Sequence, residues 1–125
     1  MRVLLVEDSA DIREALALLL LSEGIDVVAT GLGLAALELA PRVCADVVLT
    51  DLGLPDIPGH ALIHHLLRSS EHRPRVIAIT GFGEPYITQA REAGADMVLT
   101  KPLAWDTLLD HLRPADQSRR RGTAA

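Results

Sequence analysis

Glu7, Asp8, Asp51, Thr80 and Lys101 are the residues of this chain best suited to chemistry, and each follows a short apolar run. Val3 to Val6 leads into Glu7-Asp8, Val47 to Thr50 into Asp51, Val76 to Ile79 into Thr80, and Val98 to Thr100 into Lys101. Runs of this length and β-branched content read as strands buried on both faces. Each strand then delivers a polar group to its carboxyl end, which is where open parallel sheets bind ligands. Carboxylates gathered there repel one another and hold protons more tightly. A hard divalent cation removes that conflict, and Mg2+ takes oxygen ligands while keeping several waters. A Lys ammonium and a Thr hydroxyl beside such a cation suit a transferring phosphoryl group. The nucleophile is then a carboxylate, and the product an aspartyl-phosphate. Asp51 suits that role because it stands alone at a strand end before a Gly- and Pro-bearing loop. Gly53 offers a backbone carbonyl to the metal and leaves the approach open.

The elements that position these groups alternate along the chain. The first strand covers Arg2 to Val6, and Ser9 or Asp11 can cap a helix over 11–23 that stops at Gly24. Its apolar set is Ile12, Ala15, Leu16, Leu19 and Leu20, with Leu18 and Leu21 off the stripe and exposed. A second strand at 26–30, a Gly-Leu-Gly turn and a helix at 34–40 ending near Pro41 follow. The third strand covers 46–50, and a loop to Pro58 precedes a helix at 59–69. A polar stretch to Pro74 leads to the fourth strand at 76–80 and a Gly-Phe-Gly turn. The fourth helix starts at Glu84-Pro85, with Pro85 in its first turn, and ends at Gly94. The fifth strand covers 97–100 and the last helix 104–112, closed by Pro114. Residues 114–125 carry three consecutive arginines and no apolar period, which predicts a flexible tail. Five β-α units with short connections require a parallel sheet, right-handed crossovers and helices on both faces.

Composition narrows the function classes. The 125 residues are one domain's worth, and 49% hydrophobic with 23% charged residues supports a packed core. Aromatics at 2% leave no platform for stacking bases, and a net charge of −5 is the wrong sign for a phosphate backbone. Direct nucleic-acid binding is therefore not expected, and Arg119 to Arg121 read as a solubilising tail. Cys44 has no disulfide partner and precedes an apolar strand, so it is expected as a small core residue. His60, His64 and His65 lack a companion ligand and read as a solvated helix face. Trp105 reads as packing at the start of the last helix. The apolar run Ala15 to Leu21 is too short to span a bilayer. Met1-Arg2 leads straight into a strand with no secretory signal. A cytoplasmic protein without membrane contact is the expectation.

The set as a whole resembles the receiver domain of two-component response regulators, over about residues 1–113. That family has an acidic pair after the first strand (Glu7-Asp8) and an acceptor aspartate ending the third (Asp51, in Asp-Leu-Gly-Leu-Pro-Asp). It also has Thr or Ser ending the fourth (Thr80) and Lys-Pro after the fifth (Lys101-Pro102). The resemblance implies a flavodoxin-like (βα)5 fold with strand order 2-1-3-4-5. It implies phosphorylation of Asp51 by a phosphohistidine on a histidine kinase or histidine phosphotransfer domain. Asp8, Asp51 and the Gly53 carbonyl would hold Mg2+, with Glu7 acting through water. Lys101 would contact the phosphoryl group, and Thr80 would swing toward it and shift the loop and helix that follow. A cis Lys101-Pro102 bond and a homodimer through the fourth and fifth helices are further implications. The strings Thr-Gly-Phe-Gly and Asp-Leu-Gly-Leu-Pro resemble receivers attached to hybrid sensor kinases. One position departs from the family: Val98 stands where an aromatic rotamer switch is usual. No output domain is expected within residues 114–125, so the sequence reads either as a single-domain regulator or shuttle or as the receiver of a larger protein.

Two other functions compete with this reading. A Mg2+-dependent aspartyl-phosphate phosphatase needs a second acid two residues after its nucleophile, and Gly53 stands there. A phosphate-independent interaction module would lack the acceptor or the lysine, and both are present.

Overall fold

The computed structural model describes residues 1–69 and 71–113. Among the described residues ten elements alternate: β1 (Arg2–Val6), α1 (Ala10–Ser22), β2 (Asp26–Thr30), α2 (Gly33–Val43), β3 (Val47–Asp51), α3 (Gly59–Ser69), β4 (Arg75–Thr80), α4 (Tyr86–Ala93), β5 (Met97–Thr100) and α5 (Trp105–Leu112). The strands form one parallel sheet in the order β2-β1-β3-β4-β5. Connections after β1 go left to β2 and then cross back to β3, so β1 and β3 flank the place where the order reverses. Register places Val6 beside Thr50 and Asp51 beside Ile79, so the polar ends of neighbouring strands lie level.

Strand alternation sends side chains to two separate cores. Leu4, Val6, Val48, Val76 and Ala78 pack against α2, α3 and α4, where Ala36, Leu62, Ile63 and Leu66 are buried. Val3, Leu5, Leu49, Ile77 and Ile79 pack against α1 and α5 through Leu20, Leu108 and Leu112. Burying each Leu or Ile contributes about 1.5–3 kcal/mol. The edge strands β2 and β5 are less buried than the three central ones. No described helix is long and apolar enough to cross a membrane.

The chemistry of the ends matches the local residues. Ser9 is the N-cap of α1, accepting from the Ile12 N–H at 3.5 Å, which settles the choice between Ser9 and Asp11. Gly94, at φ 117°, closes α4 with its N–H on Ala90 and Arg91 carbonyls. Pro85 sits one place earlier than expected, at the N-cap of α4. Both Glu84-Pro85 and Lys101-Pro102 are cis.

Three expectations need correction. Cys44 is exposed rather than in the core. The second helix continues past Pro41 to Val43, and Cys44 ends it in a left-handed conformation (φ 52°), donating its N–H to Ala40 O at 3.2 Å. Pro41 removes one helical N–H but does not prevent the last turn, and Val43 and Ala45 take the core positions on either side. The buried face of α1 is also narrower than its stripe. Only Leu20 is fully buried, Leu16 and Ala17 pack beside it, and Ile12 and Leu19 are 44% and 40% exposed. Leu16 to Leu20 is the pair that points at the sheet, so Ile12 and Leu19 rotate onto the rim. Leu18 and Leu21 are exposed, as expected. Trp105 packs against the α1–α5 core. The flexible tail at 114–125, with Pro114 and the arginines, lies outside the described residues.

Candidate functional site

The site lies beyond the carboxyl ends of β1 and β3. β1 ends at Val6, and the Glu7 N–H continues its pairing by donating to Thr30 O at 3.0 Å. That bond turns Glu7 inward, where it is 4% exposed, and leaves Asp8 outside. Glu7 Oε2 accepts the Ser9 N–H at 3.1 Å. Asp51, the last residue of β3, is 8% exposed. Its Oδ1 accepts the Gly53 N–H at 3.0 Å, and its Oδ2 accepts from Lys101 Nζ at 2.9 Å. The same Nζ is 3.7 Å from Glu7 Oε1. One carboxylate oxygen from each of Glu7, Asp8 and Asp51 lies within 4.8 Å of the others.

Electrostatics follow from this crowding. Burial pushes the Glu7 carboxyl above its ordinary value; the Ser9 N–H pulls it back, and the Asp51 charge pushes it up again. Burial also pulls the Lys101 ammonium down, but its hydrogen bond to Asp51 and the charges of Asp51 and Glu7 outweigh that and leave it raised. Lys101 therefore pairs with two of the three carboxylates, Glu7 and Asp51, and the cluster keeps an excess of acids. A donor set of three carboxylates, all hard oxygen, fits a magnesium ion.

Thr80 is fully buried at the end of β4, yet its hydroxyl is engaged elsewhere. Its Oγ1 accepts the Phe82 N–H at 2.9 Å and faces Phe82 O at 3.2 Å. The structure thus brings Glu7, Asp8, Asp51, Gly53 and Lys101 together and holds Thr80 on its own loop. Gly53 is tied to Asp51 through its N–H. Phe82 was not singled out from the sequence as a site residue. It is 56% exposed, its ring lies 5.2 Å from that of Tyr86, and its Cε2 would be 3.5 Å from a Cβ placed on Gly53. Its signal was being the chain's one phenylalanine, set between two glycines directly after Thr80. Val98 pairs with Ala78 and is half-buried against the α2–α4 core.

Comparisons with known proteins agree with this architecture. Residues 3–113 match the family model described as response regulator receiver domain. The cell cycle response regulator CtrA of Brucella ovis is 35% identical over 109 residues, covering 87% of this chain and 47% of the relative. The chain therefore spans about half the length of the curated relatives it matches. Chemotaxis protein CheY4 of Vibrio cholerae superimposes with a TM-score of 0.82 at 27% identity, over 89% of this chain and 94% of that one. The BeF3-activated N-terminal receiver domain of Klebsiella pneumoniae RstA gives a TM-score of 0.82 at 27% identity, over 90% and 96% of the two chains.

Proposed function

The chain belongs to the response regulator receiver domain family, and from that premise we propose that Asp51 is its phosphoacceptor. As a receiver domain it is a signalling module, of a family that generally binds Mg2+ and works with histidine kinases or phosphotransfer proteins. An Asp51 carboxylate oxygen attacks the phosphorus of a phosphohistidine on a histidine kinase or histidine phosphotransfer domain. The O–P bond forms, the P–N bond breaks, and its electron pair stays on the imidazole nitrogen. Asp8, Asp51 and the Gly53 carbonyl would hold Mg2+, with Glu7 acting through water, and Mg2+ bound there would offset negative charge on the phosphoryl oxygens. Lys101 exchanges its bond to Asp51 Oδ2 for one to a phosphoryl oxygen. Thr80 turns its hydroxyl from Phe82 to the phosphoryl group, which frees the loop before α4. Residues 1–113 form the receiver, acting in the cytoplasm, and pairing of copies through the face of α4 and α5 is part of the same reading.

The observation that carries this is the contact of Lys101 Nζ with Asp51 Oδ2 at 2.9 Å inside the three-carboxylate cluster. It leaves one nucleophilic carboxylate between a fixed ammonium and a cation-ready acid pair. A phosphatase acting on other substrates lacks its general acid at Gly53. The test is incubation with Mg2+ and acetyl phosphate, followed by intact mass. A single phosphoryl adduct in wild type and none in Asp51→Asn is expected, with a matching response to beryllium fluoride. An adduct that persists in Asp51→Asn would remove Asp51 from the role.

A further inference from the structure

We propose that Arg13 and Asp56 are positioning residues that brace the two loops holding the cation, Arg13 from α1 beside Gly31 and Asp56 through the start of α2. This rests on the Mg2+ reading above and concerns residues that touch neither the phosphoryl group nor the metal. The first loop carries Glu7 and Asp8. Arg13 Nη1 donates to Glu7 O at 2.8 Å and to Asp8 O at 3.5 Å, so one guanidinium holds both backbone carbonyls of the acidic pair. A Cβ on Gly31 would stand 2.7 Å from that Nη1 and 3.6 Å from Glu7 O. Gly31 therefore leaves the slot in which the guanidinium lies.

The second loop carries Asp51 and Gly53. Leu32, the N-cap of α2, makes no side-chain cap bond. Asp56 supplies the cap from the other loop: Oδ1 accepts the Gly33 N–H at 2.9 Å and Oδ2 accepts the Leu34 N–H at 2.8 Å. Those bonds hold the Asp56 carboxyl below the ordinary carboxylate range. Next to it, Ile57 lies directly on Gly33, where a Cβ would be 2.6 Å from Ile57 Cγ1. The loop after β1 is thus held by Arg13 of α1, whose guanidinium lies against Gly31, and the loop after β3 is fastened by Asp56 to the first residues of α2. Three carboxylates within 4.8 Å repel one another and would spread if their loops were free. A partner that only orients a ligand typically changes metal affinity by about tenfold to a hundredfold when removed.

The test is calorimetric titration of the full chain with Mg2+ alone, beside thermal melting. Asp56→Ala is expected to weaken Mg2+ affinity by about tenfold or more. Asp56→Asn, which keeps one acceptor oxygen, should weaken it less. Arg13→Ala, which releases the other loop, should weaken it like Asp56→Ala. Ile25→Ala, a core variant at the opposite end of the sheet, should lower the melting temperature and leave the affinity unchanged. The brace is refuted if Asp56→Ala and Arg13→Ala bind Mg2+ like wild type, or lose no more affinity than Ile25→Ala. Failure of wild type to bind Mg2+ would instead overturn the cation reading itself, and the brace with it.

Discussion

Gly33 and Gly59 have no room for a side chain, whereas Gly81 and Gly83 do. A Cβ on Gly59 would fall 2.6 Å from Leu52 Cα and 2.9 Å from Leu52 O. On Gly83 it would meet nothing within 4 Å, and on Gly81 only Lys101 Cδ at 3.9 Å. The two pairs mark two halves of one rim. The half built from the loops after β1, β2 and β3 is packed shut, and its ties cross between segments distant in sequence. The half built from the loop after β4 is open, and its ties are local: Thr80 to Phe82, and Glu84 to the N–H and hydroxyl of Thr88. Local bonds on an exposed loop can break without disturbing a core, which is the usual character of segments that move. Asp51 therefore has a closely packed cradle on one side and a loop with only local ties on the other.

Lys101 is the contact that joins the acids of the closed half to the strand beside the open one, so its loss has the largest expected effect. Lys101→Ala should slow phosphorylation of Asp51 by acetyl phosphate about a hundredfold to a thousandfold, read from the rate of mass gain. An unchanged rate would detach Lys101 from the chemistry. Gly59→Ala comes next, because the groups it would strike are Leu52 backbone atoms that cannot swing aside. A loss of about 1–3 kcal/mol in urea unfolding is expected. Thr80→Val removes the hydroxyl that holds Phe82 and keeps the buried shape. It should cost about 1 kcal/mol, speed amide exchange at residues 82–84, and leave exchange at residues 52–54 unaltered. Faster exchange in both loops would show that the halves are coupled rather than distinct. The smallest effect belongs to Gly83→Ala. Gly83 has open space around it and no left-handed φ, so alanine should stabilise by about 0.4–1 kcal/mol through the unfolded chain. A cost comparable to that of Gly59→Ala would erase the contrast.

Much of the fold is legible residue by residue. Apolar runs at Val3, Val47 and Val76, separated by helical spacing and closed by Gly24 and Gly94, specify β-α alternation through local preferences. The same locality shows its reach at Cys44 and α1. Cys44 stands beside an apolar run, but which of Val43, Cys44 and Ala45 faces inward depended on where α2 stopped. Ile12 and Leu19 share a stripe with Leu20, but how far that stripe turns toward the sheet is decided by the neighbours of α1. In the site, Glu7, Asp8, Asp51 and Lys101 stand out because strand ends carry them. Phe82, Arg13 and Asp56 do not, because their meaning lies in partners. Arg13 acts on a backbone carbonyl, and Asp56 on the N–H groups of a helix that starts 23 residues earlier.

The sequence by itself determined which groups stand at the ends of buried strands, since a strand's alternation and its stop are set by adjacent residues. Only the tertiary structure decided which of those ends meet. Lys101 reaches Asp51 across 50 residues, and Thr80, equally well placed along its own strand, spends its hydroxyl on Phe82 instead. Strand order, register and the packing of two helical layers set those distances. They are properties of the whole sheet, in which each segment's position depends on all the others.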